Sequence, residues 1–307
     1  MTWLSERNLV SALSNAGGFG VIACGSMTPS LLDEEITATF ELTNRPFGVN
    51  LITLHPDLND LIGVCIARKV SHVVLAGGIP RDSDIRRLKG SGVKLMAFAP
   101  ALSVARKLVR SGADGIIIEG SEAGGHIGPV STGVLAQEIL PNILDVPVFV
   151  AGGIGRGDAA ALYLRMGASG CQLGTRFVCA AECVAHPSFK KAFIHANARD
   201  ATPTVQLDPH FPVIPVRALV NEGTRRFYDF QREVISRVHA GEVEQKAAQL
   251  DIEHYWAGAL RRAAIDGDVE HGSLMAGQSV GMVMQEQPIS EIIDEFVRQA
   301  RQALGAA

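Results

Sequence analysis

The chain has 307 residues, of which 47% are hydrophobic, 20% charged and only 6% aromatic, a length that suits one large domain or a (β/α)8 barrel of about 250 residues with an appendage. A formal net charge of −4 argues against a nucleic-acid binder, which carries a basic face, and no apolar run reaches the roughly 18 residues of a membrane span. The 32 glycines exceed the usual share of about 7%; scattered singly and in pairs, they exclude collagen and low-complexity disorder.

Short apolar runs alternate with amphipathic stretches up to about residue 185. The runs 19–23, 47–52, 72–76, 93–98, 114–118, 146–151 and 170–173 read as strands, and their lack of polar alternation fits a parallel sheet covered on both faces. Ser5 is placed to cap a helix ending at Gly17, and Ser30 one running to about Thr43. Pro56 suits the first turn of the next helix, and Pro141 the exit of the one after Ser131. The stretches 110–118 and 165–173 repeat one helix-to-strand turn, each with a glycine closing the helix. A recurring βα unit predicts a closed barrel rather than an open sheet. Seven strands leave an eight-strand barrel one short. The chain opens on Met1-Thr2-Trp3-Leu4 directly before a helix, so the first strand is expected to be missing or severely shortened, exposing the edges beside it.

Beyond residue 185 helical patterns cover 186–196, 221–239 and 246–264. A proline-punctuated stretch (Pro203, Pro209, Pro212, Pro215) divides the first two, 266–281 is loop-like and rich in glycine, and 289–304 is an amphipathic helix. The expected division is a barrel over 1–185, a helical subdomain with a glycine-rich return segment over 186–287, and a C-terminal helix over 288–307 packing back on the barrel. The five cysteines (Cys24, Cys65, Cys171, Cys179, Cys183) lie mostly in apolar runs and read as reduced, buried thiols. Cys179 and Cys183 have no second pair to complete a zinc site. With no secretory signal at its start, a cytoplasmic protein without a metal is expected. The basic cluster from Arg81 to Arg110 reads as a solvated face, with docking of an acidic carrier protein as the alternative.

In a parallel barrel the segments after the strands form the rim where sites are built. Glycine-rich segments at 76–80, 119–128, 151–155 and 173–177 converge there; 17–20 precedes a strand and belongs to the far face. Gly152-Gly153 and Gly174-Thr175 each precede a helix start. Two adjacent backbone nests there make an anion site where barrels hold a phosphate, with a plain tight turn as the alternative. His126 is the histidine among rim glycines and can pass a proton at neutral pH, unless it only bonds a carbonyl. Glu119 ends its strand as an inward carboxylate for a ligand hydroxyl or ring N–H, or as half of an internal pair with an arginine. Asn50 ends a strand with an amide that donates and accepts, and Gln278 lies on the return segment. His239 and His254 read as surface or packing residues. No cysteine lies between residues 119 and 133, which excludes a thio-intermediate on that loop. Gly-x-Ser-x-Gly and Walker motifs are absent too. What remains is a phosphate-bearing organic cofactor with one histidine beside it.

Through Asn15-Ala-Gly-Gly-Phe-Gly20, Pro46-Phe-Gly-Val-Asn50, Glu119 to Gly128, Ala151-Gly-Gly-Ile154, Leu173-Gly-Thr-Arg-Phe177 and Met275-Ala-Gly-Gln278, the sequence resembles the nitronate monooxygenase (formerly 2-nitropropane dioxygenase) family of FMN-dependent barrels. That family includes the flavin type of enoyl-acyl-carrier-protein reductase, and the resemblance covers nearly the whole chain. It implies a TIM (β/α)8 barrel that holds the FMN phosphate on Gly152, Gly153, Gly174 and Thr175. Asn50, Glu119 and Gln278 then lie near the ring or ribityl chain, Gly124 and Gly125 in the same site, and His126 matches the active-site histidine. One departure is that family members begin with a strand ending in Gly-Gly-Met before a tryptophan. Here Met1 stands in place of that methionine, for which a misplaced start site is the first explanation. The leading expectation is oxidation of alkyl nitronates with oxygen by a possible homodimer acting on a small molecule. The alternatives are NADH- or NADPH-dependent reduction of an enoyl thioester, with acyl-carrier protein docking on the basic cluster, and a non-catalytic barrel that binds a phosphate ligand.

Overall fold

Seven parallel strands and their helices occupy the first 185 residues of the computed structural model, which describes residues 1–305. The strands are β1 (Val21–Ala23), β2 (Gly48–Ile52), β3 (His72–Ala76), β4 (Lys94–Phe98), β5 (Gly115–Glu119), a two-residue β6 (Gly125–His126) outside this sheet, β7 (Val148–Ala151) and β8 (Gly170–Gln172). Between them run α1 (Arg7–Asn15), α2 (Pro29–Leu42), α3 (Leu58–Ala67), α4 (Asp82–Gly90), α5 (Leu102–Ser111), α6 (Thr132–Ile139) and α7 (Gly157–Arg165). The remainder holds α8 (Pro187–Ile194), β9 (Ala201–Pro203), β10 (Val216–Leu219), α9 (Glu222–His239), α10 (Gln245–Ala264), β11 (Leu274–Met275) and α11 (Ile289–Leu304).

The sheet order β1-β2-β3-β4-β5-β7-β8 follows the chain, as a curled barrel wall requires. One face carries Val49, Leu51, Val73 and Leu75 against Leu32, Ile36, Leu61 and Ile62 of the helices, and Ile116, Ile118 and Val150 against Leu135 and Ile139. Each such side chain contributes about 1.5–3 kcal/mol on full burial. The other face fills the interior with Val74, Ile117 and Ala151, backed by Val21, Met96, Phe98 and Phe149. Burial on both faces explains why the strands read as unbroken apolar runs.

Among the described residues no strand joins β1 to β8. The open edge of β1 is nevertheless partly covered: Ala23 donates its N–H to the Ser5 carbonyl (2.9 Å), and the Ser5 hydroxyl donates to the Val21 carbonyl (2.6 Å). Ser5 is therefore not the cap of α1. Glu6 is, accepting from the amides of Asn8 and Leu9. Likewise Thr28 rather than Ser30 caps α2, with Pro29 in the first helical position, and α3 begins after Asp57 rather than at Pro56. The repeated turn is as expected: Gly112 and Gly167 close α5 and α7 with φ of 106° and 105°.

The later helices have their own core of Phe211, Phe227, Val234, Ile252 and Trp256. The stretch 266–281 is not all loop, because β11 joins β10 in a small antiparallel sheet whose other edge is β6. α11 lies across α7 so closely that a Cβ on Gly157 would sit 1.9 Å from the Phe296 carbonyl oxygen. All five cysteines are free thiols, four of them buried. The basic cluster is largely engaged within the chain: Arg81 pairs with Asp84, and Lys89 and Lys94 with Asp114. Arg87 bonds Asn59 and Arg106 bonds Asn142. No helix among the described residues is long and apolar enough to cross a membrane.

Candidate functional site

Partners across parallel strands face the same side of the sheet. Asn50 is level with Val74, and both Glu119 and Gln172 are level with Ala151. Since Val74 and Ala151 fill the barrel interior, the side chains of Asn50, Glu119 and Gln172 share that interior at its carboxyl end. Burial pushes the Glu119 carboxyl up to about 7, against the opposing pull of the amino terminus and His126. Among the described residues it has no arginine partner, so the internal ion pair considered from the sequence is not formed.

The segment after β5 folds tightly over the rim. A Cβ on Gly120 would lie 2.0 Å from the Thr132 hydroxyl, and Ser121 donates its N–H to the Val130 carbonyl (2.8 Å). The Glu122 carboxylate accepts from the amide and hydroxyl of Thr132 (2.9 and 3.0 Å) at the start of α6. The return segment is laced to this loop. Gln278 donates its N–H to the Glu122 carbonyl (2.9 Å), Gly277 donates to the Thr175 hydroxyl (3.0 Å), and Gly124 meets Gly277 backbone to backbone. Thr175, Gly124 and Gln278, far apart in sequence, are thus brought together.

Gly152 and Gly153 follow β7 with φ of 92° and 73°, and they pack on the same loop: their Cβ positions would lie 3.0 Å from the Gly120 carbonyl oxygen and the Glu122 Cβ. Both take a left-handed backbone that glycine adopts without strain, so the segment is a tight turn. Among the described residues the amides of Gly153, Gly174 and Thr175 donate to no protein acceptor. Three free amides at the end of β7 and β8 fit an anionic group such as a cofactor phosphate. The Met1 side chain rests beside Gly174, its Sδ 3.4 Å from the Cβ position there.

His126 sits in a strand rather than a free loop, since β6 pairs with β10 through His126 and Val216. Its Nε2 lies 3.1 Å from a Glu253 carboxylate oxygen on α10. Two residues of this arrangement escape sequence reading. Gln172 is the inward polar residue of β8, which period-two alternation from Gly170 could have revealed. Glu253 comes from a helix with no local signal linking it to His126.

The nitronate monooxygenase family model matches residues 1–299. The chain is 31% identical to a (3aS,4S,5R,7aS)-5-hydroxy-7a-methyl-1-oxo-octahydro-1H-indene-4-carboxyl-CoA dehydrogenase of Rhodococcus jostii RHA1, covering 100% of this chain and 92% of that protein. It is 26% identical to a probable nitronate monooxygenase of Bacillus subtilis 168, covering 96% and 92%. Among solved structures it superposes on FabK from Thermotoga maritima with a TM-score of 0.88 at 35% identity, over 99% of this chain and 92% of that one. A nitroalkane oxidase from Streptomyces ansochromogenes gives 0.81 at 27% identity, over 99% and 94%. Those structures, the curled parallel barrel and the full-length match make the chain a member of the nitronate monooxygenase family of flavin-dependent oxidoreductases.

Proposed function

We propose that the chain is an FMN-dependent oxidoreductase that oxidises alkyl nitronates with oxygen. One observation carries this reading: free amides at Gly153, Gly174 and Thr175 stand at the same barrel mouth as inward Asn50, Glu119 and Gln172 and the rim histidine His126. Bound there, FMN supplies one- and two-electron chemistry that side chains lack. The three amides would hold its phosphate. Asn50, Glu119, Gln172 and Gln278 would meet its ribityl chain or ring, and a carboxyl held near 7 both donates and accepts hydrogen bonds around neutrality. Gly124 and Gly125, packed against Gly277 and Met275 of the return segment, would hold the backbone of the loop that leads into His126 close to the cofactor. His126 would bind a nitronate oxygen, or take the proton from a nitroalkane carbon.

A second reading, reduction of an enoyl thioester by NADH or NADPH, is supported by the likeness to FabK, at 35% identity and a TM-score of 0.88 against 27% and 0.81 for the nitroalkane oxidase. The relative named as a carboxyl-CoA dehydrogenase, 31% identical, supports a thioester ligand only. Under that reading His126 would donate to the thioester carbonyl. Docking of a carrier protein would compete with the pairs that Arg81, Lys89 and Lys94 already make.

Anaerobic mixing of the flavin-loaded protein with NADH, NADPH or an alkyl nitronate separates the readings. Bleaching of the flavin band by nitronate but by neither nicotinamide supports nitronate oxidation. Bleaching by a nicotinamide, reversed by an enoyl thioester, overturns it in favour of the reductase.

A further inference from the structure

We infer that Glu253 is the positioning residue of His126: from the helical subdomain it fixes which ring nitrogen carries the proton and which faces the substrate. The inference rests on the proposed role of His126.

The geometry distinguishes the two nitrogens. Nε2 has essentially no solvent-accessible surface and no aligned hydrogen-bond partner, yet it lies 3.1 Å from a Glu253 carboxylate oxygen. The His126 side chain is 38% exposed all the same, so the open part of the ring lies away from Nε2. Nδ1 is not among the buried, partnerless atoms. A neutral imidazole carries its proton on one nitrogen only. A carboxylate beside the enclosed Nε2 is an acceptor and draws the proton there, leaving the Nδ1 lone pair to take the proton from a nitroalkane carbon. Of the two roles proposed for His126 this is the base, since binding a nitronate oxygen would need an N–H at Nδ1. In a catalytic triad a buried carboxylate does the same for its histidine, setting the tautomer and ring orientation and steadying the imidazolium as it forms.

The placement also explains why a separate helical unit approaches the barrel mouth here. β6 carries His126 and is tied to β10 of that unit through Val216, while Ile252, next to Glu253, is buried in its core with Phe227 and Trp256. The β6–β10 pairing and the Glu253 carboxylate thus both bring that unit to His126.

The test uses the full-length, flavin-loaded protein and reads the tautomer directly, by nitrogen chemical shifts of ring-labelled His126 above its titration. The wild type should show the Nε2–H form. Glu253→Ala should show a mixture, and its maximal flavin-reduction rate should fall roughly tenfold or more, in the range of acid–base effects, with substrate half-saturation and FMN affinity within about twofold of wild type. Glu253→Gln, which keeps an acceptor, should restore part of the rate. An unchanged tautomer and rate in Glu253→Ala, with His126→Ala inactive, overturns the role of Glu253 and leaves that of His126 standing. Full turnover in His126→Ala overturns the histidine reading itself. A parallel loss of FMN affinity and thermal stability in both Glu253 variants, with the tautomer unchanged, makes Glu253 a structural residue and also overturns the inference.

Discussion

Gly124 and Gly277 leave no room for a side chain between them: a Cβ on Gly124 would lie 2.4 Å from the Gly277 nitrogen, and one on Gly277 2.8 Å from the Glu122 carbonyl oxygen. Backbone on both sides means that nothing flexible can give way. Gly124→Ala should therefore push the return segment off the rim loop and cost about 1–3 kcal/mol, the usual range for overpacking. It should also weaken flavin retention, because Gln278 and Thr175 are tied to the same junction. Gly128→Ala is the control, since its Cβ would meet nothing within 4 Å. Thermal melts with and without FMN should separate the two variants.

Glu119 predicts a pH dependence of known sign. Its carboxyl stands at about 7 in the folded chain against an ordinary value of 4.5, so the fold favours the protonated form. The contribution to stability is whole below 4.5 and is lost as the pH rises through 7. Glu119→Gln removes the ionisation. In the flavin-free protein it should match the wild type near about pH 4 and exceed it near about pH 8 by up to roughly 3 kcal/mol. Urea titrations across that range measure the difference, and a gap independent of pH would refute the assignment.

Glu122 secures the opening of α6 from outside the helix. Its carboxylate binds the amide and hydroxyl of Thr132, and that hydroxyl also lies 3.1 Å from the Gly152 carbonyl oxygen. Glu122→Ala should cost about 1–2 kcal/mol, as for loss of a helix cap. Glu122→Gln, which retains an acceptor, should cost less. Urea midpoints of the two variants give the comparison.

What the sequence revealed and what it concealed divide by range of interaction. The seven strands fall within two residues of their expected bounds, because burial on both faces writes itself as a continuous apolar run. Gly112 and Gly167 were legible because a left-handed residue after a helix selects glycine locally. The helix caps differ for two reasons: a tertiary contact spends the Ser5 hydroxyl on the edge of β1, whereas at α2 a local signal, Thr28 followed by Pro29 in the first helical position, fixes the start ahead of Ser30. β6 is two residues long and has no periodicity to read, so His126 looked like a loop residue. The site residues brought together by the return segment were legible as motifs, whereas their junction, and the approach of Glu253 to His126, exist only once distant segments pack.

The amides at the end of β7 and β8 make the strongest claim on the cofactor itself. If Gly153, Gly174 and Thr175 present free N–H groups to a phosphate, FMN should bind at least about tenfold more tightly than riboflavin, which lacks that group, because hydrogen bonds to a charged acceptor contribute roughly 1.5–3 kcal/mol each. Gly153→Ala tests the geometry. Its φ of 73° costs an L-residue about 1–2 kcal/mol, and its Cβ would press on the Glu122 Cβ at 3.0 Å, so the turn relaxes and the amide swings away. FMN affinity should then fall toward that of riboflavin, while riboflavin affinity changes little. Thr175→Ala acts differently, because its hydroxyl accepts from Gly277 and its loss loosens the return segment. It should weaken FMN and riboflavin alike. Fluorescence titration of the flavin-free protein with both ligands gives all six affinities, and equal binding of FMN and riboflavin by the wild type would place the phosphate elsewhere.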